Sequence, residues 1–219
     1  MEAMDRYISS TDWISLIFLI SLLCLVFAKT IFYSRFFNFL ILPFNNKYVI
    51  LNNKKGKLLS GFHLAFSLFQ LLNLALFGYF CILAFVPDAA QWDGLFVFWL
   101  VLGGLLAFTL TKVGVQLLGG SLFEIGPLIS SLVFQKWSYL NYSSLVVLPV
   151  NLLIAYLFPD GTALVIIGIV LILAVNLIGW INLLKMHQSL ISSTLFYFIL
   201  YLCALEIAPF LIVYNLVIV

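Results

Sequence analysis

Charge is scarce in this sequence. Asp, Glu, Lys and Arg make up 8% of 219 residues, ten of them basic and eight acidic, where a soluble domain carries roughly a quarter. So few charges cannot coat a water-facing surface, which excludes a soluble enzyme, a secreted domain and a disordered chain. The net charge of +2 comes with no basic stripe, so nucleic acid is not an expected partner. Cysteine is scarce as well. Cys24, Cys81 and Cys203 are odd in number, lie in apolar runs and form no C-x-x-C pair. They imply neither a disulfide framework nor a zinc site and read as small buried apolar residues. No phosphate loop, no H-E-x-x-H and no G-x-S-x-G is present. No cofactor is expected, and no residue stands out as catalytic. Short segments alternating apolar and polar residues, the mark of a membrane barrel, are also missing.

The sequence has hydrophobic length instead, with 65% apolar and 17% aromatic residues. Six runs approach the ~20 apolar residues that cross a hydrocarbon core roughly 30 Å thick. They cover 13–28, 61–86, 95–112, 143–158, 163–184 and 191–214. The expected fold is all-α: a polytopic membrane helix bundle of six transmembrane helices, one integral domain over 1–219, with short interfacial segments. Residues 36–44 end near Pro43, are flanked by Arg35 and Lys47, and read as interfacial. Residues 119–137 are interrupted by Gly126 and Pro127 and read the same way, with a re-entrant loop as the alternative. The first span is not a cleavable signal, because Glu2, Asp5 and Asp12 precede it and Lys29 and Arg35 follow.

Basic residues predict the orientation. Lys29, Arg35, Lys47, Lys54, Lys55 and Lys57 follow span one; Lys112 and Lys136 lie between spans three and four; Lys185 lies between five and six. Nine of the ten basic residues thus share one side, and Arg6 alone takes the other. The basic loops are expected in the cytoplasm and both termini in the periplasm.

Small residues mark expected helix contacts, since they let backbones approach closely. Gly103 and Ala107 share a face of span three, as do Gly168 and Gly179 with Asn176 on span five. His63, His187 and Lys185 gather near the cytoplasmic ends of spans two and five. Two histidines without a third ligand make a poor metal site, so no metal is expected.

Glu206 is the costliest residue. It lies about fifteen residues into the last span, where an ionisable group must be paired, hydrated or neutral. Cys203 shares its helix face, and Pro209 deprives the Leu205 carbonyl of its helical partner. Asn151 and Asn176 are the first expected partners from other spans. Two readings stay open, a proton or ion site and a protonated structural acid.

The run 197–214 carries Tyr201, Leu202, Cys203, Glu206 and Pro209. In this it resembles the C-terminal signature of a family of small polytopic inner-membrane proteins in Bacteroidota, a domain of unknown function. Length and span layout are similar over nearly the whole chain. The turn before the last span departs from the family, whose members are richer in arginine there; this chain has Lys185 and His187. The resemblance implies the bacterial inner membrane as location. The expected role is a non-catalytic scaffold or accessory subunit of a cell-envelope complex. Its partners would be the lipid bilayer and other inner-membrane proteins or further copies of itself. The alternative is a small transporter or proton-linked protein using Glu206.

Overall fold

The computed structural model describes residues 12–45, 48–49, 61–86, 89, 91–122, 126–159 and 161–186. These residues form helices and no strands: α1 (Asp12–Ile31), α2 (Tyr33–Leu40), α3 (Gly61–Phe85), α4 (Gly94–Leu122), α5 (Gly126–Tyr156) and α6 (Thr162–Met186). All but α2 are long and apolar enough to cross a membrane. The sixth expected span, 191–214, lies outside the described residues.

Apolar side chains cover the outside. Leu19, Leu23 and Phe27 of α1, Leu100 and Leu110 of α4, and Val170, Leu173 and Leu177 of α6 are all more than half exposed. A soluble monomer does not carry an apolar belt of that extent; a bilayer is the solvent that fits it. Polar side chains turn inward, among them Gln70, Asn73, Gln135 and Asn151. Helices α3 and α5 make the centre: α3 packs on α1, α4, α5 and α6, and α5 packs on α3, α4 and α6. Half of the membrane window of α5 is buried, against 11% for α4, so α4 is the peripheral helix.

The described charges separate by end. Asp12 and Asp93 mark one end; Lys29, Arg35, Lys112, Lys136 and Lys185 lie toward the other. At the acidic end the Trp13 ring meets Tyr79 edge-on, with centroids 5.2 Å apart, and a 2.8 Å hydrogen bond joins Ser15 Oγ to Tyr156 Oη. At the basic end α2 folds back after Phe32 and buries Phe36 and Phe39, while Tyr33 and Phe37 stay outside. The Phe39 ring lies 4.5 Å from that of Phe66 and also meets Phe62, Tyr48 and Tyr142. Segment 36–44 is thus the end of a short amphipathic helix and its turn, pinned by aromatic contacts.

Segment 119–137 is not a separate interfacial piece. Residues 119–122 finish α4, and 126–137 open α5, which runs unbroken to Tyr156. Pro127 is tolerated in the first helical turn, where its missing N–H has no helical partner to lose. Hydropathy falls between the third and fourth expected spans partly because of Gln135, Ser138 and Asn141, all fully buried within the bundle and not facing lipid. Likewise α4 continues past Lys112, because Gln116 and Gly120 repeat its face every fourth residue and turn inward. A Cβ on Gly120 would stand 3.0 Å from Ile129 Cβ. Pro149 interrupts the α5 hydrogen-bond ladder from inside.

Candidate functional site

Two polar features stand out in this apolar bundle. The first is a seam between α3 and α5. His63, Gln70 and Asn73 fall at helical spacing on α3, and Gln135, Ser138, Asn141, Ser144 and Asn151 do so on α5; all are buried. Toward the basic end, Asn141 Nδ2 lies 3.3 Å from His63 Nδ1, a hydrogen bond when that ring nitrogen carries no proton. The His63 ring packs on Phe134, with centroids 4.8 Å apart. Deeper in the bundle, Asn151 Nδ2 donates to the Asn73 carbonyl at 3.0 Å, and Asn73 Nδ2 donates to the Phe69 carbonyl at 3.0 Å.

The seam has more hydrogen-bonding capacity than it uses. Among the described residues, Gln70 Oε1, Asn73 Oδ1, Asn141 Oδ1, Asn151 Oδ1 and both polar ends of Gln135 have no partner. Each such group away from water costs on the order of 1–3 kcal/mol. Water or residues outside the described set must therefore complete it.

The second feature is a cleft of about 430 Å³. Helices α4 and α6 both pack on α5, and the cleft lies among the three. Its polar rim is Lys112 and Gln116 of α4, one turn apart, with Lys136 of α5. Lys136 Nζ sits 4.4 Å from the centre of the Trp180 ring on α6, a cation–π contact. Trp137 shares the rim, while Phe108, Leu140 and Leu173 line apolar wall. Gln116 is 3% exposed, and its Nε2 has no partner among the described residues.

The expected site residues fall in different places. His63 joins the seam through Asn141, and Asn151 joins it through Asn73. Asn176 lines the cleft but donates to Ile172 of its own helix at 2.8 Å. Lys185 is exposed in the last turn of α6. Gly168 lies where a Cβ would run into the Phe77 ring, and at Gly179 a Cβ would stand 2.6 Å from Tyr139 Cγ. Among the described residues a Cβ on Gly103 would meet nothing within 4 Å, and Ala107 is exposed. His187, Cys203, Glu206 and Pro209 lie outside the described residues.

Sequence reasoning did not single out Gln116, Gln135 or Asn141, and it used Lys112 and Lys136 only for topology. Their signal was available: a glutamine or lysine that repeats an inward face at i+4, beside a tryptophan, inside a run long enough to span.

A family model described as a domain of unknown function, DUF4271, matches residues 14–217. No curated protein and no solved structure matches the chain.

Proposed function

The chain belongs to the DUF4271 family, and we propose that it is a non-catalytic scaffold or accessory subunit of an inner-membrane complex in the cell envelope of Bacteroidota. In this reading 191–214 forms the sixth span, the basic end faces the cytoplasm, and both termini are periplasmic, following the partition of lysines and arginines. One observation carries the scaffold role. The peripheral helix α4 presents Gly103, Gly104 and Ala107 on a stretch that no described residue covers, with nothing among the described residues within 4 Å of either glycine's Cβ position. Small residues on a spanning helix let another helix approach closely, and packing is the main force between helices in lipid. The occupant is a helix of another inner-membrane protein or of a second copy.

Gly103→Leu tests this. After mild detergent extraction, the partner recovered with the wild-type chain should fall at least tenfold, because leucine fills the contact. The variant chain itself should keep its melting temperature. Unchanged recovery sinks the reading. So does a crosslink between a cysteine at 103 and one placed in 191–214 of the same chain, which would assign that face to the chain's own last span.

The seam favours a second reading, a proton-linked membrane protein. Asn73 Oδ1 and Asn151 Oδ1 accept no bond among the described residues. Glu206, with Cys203 beside it and Pro209 after it, would supply a proton at similar depth and donate to one of them when protonated. Glu206→Gln preserves shape and hydrogen bonding but cannot titrate. Loss of growth-supporting activity with unchanged expression and melting temperature supports proton transfer. Full activity reduces Glu206 to a structural acid.

A further inference from the structure

We infer that the cleft among α4, α5 and α6 is a binding site for an anionic phospholipid, with the phosphate at Lys112, Lys136 and Gln116 and an acyl chain along the apolar wall. The argument begins with depth. Lys112 lies eighteen residues from the start of α4, Lys136 twenty from the end of α5, and Trp180 eighteen from the start of α6. At 1.5 Å per residue these are about 27, 30 and 27 Å. Three helices thus place two ammonium groups and an indole at one level, about one hydrocarbon thickness from the acidic end. That is the headgroup level, where tryptophan and snorkelling lysines belong.

The cleft is amphipathic along that same axis. Gln116 stands a turn beyond Lys112, on the headgroup side, and Phe108, Leu140 and Leu173 stand toward the bilayer centre. Leu173 is 58% exposed, so the apolar part opens to the lipid phase. A free anion would use only the rim, and an uncharged apolar molecule only the wall. A phospholipid with net negative charge uses both. Gln116 adds an independent pointer, because its buried Nε2 is a donor with no acceptor among the described residues. A phosphate oxygen is an acceptor that reaches such a depth together with its own counter-charges. Basic pockets between spanning helices are the general form of such headgroup sites.

The test uses the full chain purified in a neutral detergent. Phosphatidylglycerol, phosphatidylcholine with the same acyl chains, and inorganic phosphate are titrated separately, with melting temperature as readout. Phosphatidylglycerol should raise it saturably, and the other two should not. The Lys112→Gln, Lys136→Gln double variant should bind phosphatidylglycerol roughly thirty-fold more weakly, the expected loss of two lysine contacts. The Lys112→Arg, Lys136→Arg variant should retain most of the affinity. An equal response to phosphatidylcholine would reduce the cleft to ordinary lipid contact and overturn the inference. So would a full response to phosphate alone, or an undiminished affinity in the glutamine variant. A crosslink from a cysteine at 136 to residues 187–219 in lipid-free protein that does not bind phosphatidylglycerol would show the cleft filled by the chain itself. If the glutamine variant fails to fold, the wild-type contrast between the two phospholipids still decides.

Discussion

Gly179→Leu should prevent the chain from reaching its wild-type stability in detergent, and even Gly179→Ala should lower the melting temperature. A Cβ on this residue would stand 2.6 Å from Tyr139 Cγ and 2.9 Å from Tyr139 Cβ. Those atoms are the root of the side chain, so they cannot swing aside without moving the α5 backbone. Tyr139 is also held at its far end by two hydrogen bonds. Overpacking of this kind costs roughly 1–3 kcal/mol. Removing a helical glycine gains about 0.5–1 kcal/mol, so the balance at Gly179 is destabilising. Gly168 makes the comparison. Its Cβ would meet the Cε2 and Cζ atoms of Phe77, the far edge of a ring that can tilt, so alanine there should cost less than at Gly179. Gly103 has open space among the described residues, and alanine there should be neutral or stabilising in the isolated chain. Thermal unfolding followed by size-exclusion chromatography orders the three. Equal midpoints for the variants at 103 and 179 would refute the packing argument.

The same contrast explains what was legible in the sequence. Long apolar runs located α1, α3 and α6 well, because apolar residues fill most positions of these helices on lipid-facing and buried sides alike, and the buried His63, Gln70 and Asn73 of α3 are too few to break its run. Hydropathy failed at the start of α5, where Gln135, Ser138 and Asn141 dilute the run. A hydropathy average cannot tell a polar residue facing a neighbouring helix from one facing water, and these face the bundle interior. Small-residue spacing singled out Gly103, Ala107, Gly168 and Gly179 together. Spacing fixes which residues share a face, but not which face is covered. Among the described residues Gly168 and Gly179 abut aromatic rings and Gly103 does not.

The candidate sites were harder to read. His63 was visible as a polar residue near the end of a span, and its partner was sought in His187. Among the described residues it meets Asn141, which lies between the segment read as interfacial and the expected fourth span; His187 lies outside the described residues. Lys112 and Lys136 were visible as topology signals, and the helices bring them to one rim. Two residues in different spans meet only when the lengths of the intervening elements are known. Here that length depended on α4 and α5 each running farther than their apolar cores.

Tyr139→Phe should destabilise the bundle by about 2 kcal/mol, although it removes a single oxygen. Tyr139 is 1% exposed. Its hydroxyl donates to the Leu42 carbonyl at 3.3 Å and accepts from Asn182 Nδ2 at 2.8 Å. One group thereby ties the turn after α2 to α5 and α5 to α6. Phenylalanine keeps the ring, and with it the wall against Gly179, so packing is not what changes. The loss comes from leaving a carbonyl and an amide without this partner in a place where water is scarce. Asn182→Leu removes the amide as well and isolates its share. If the energetic account is right, the double variant should be less destabilised than the sum of the two single variants, since neither then strands the other's polar group. The coupling should fall between roughly 0.5 and 1.5 kcal/mol, the range of one net hydrogen bond. Strict additivity in thermal or denaturant unfolding would mean that the Tyr139–Asn182 contact contributes nothing. The turn at 41–44 gives a second readout. Its amide hydrogens should exchange faster in Tyr139→Phe than in the wild type, while Asn182→Leu should leave them unchanged, because the Leu42 bond survives in that variant. Slow exchange in both variants would show that the aromatic cluster around Phe39 alone holds the turn in place.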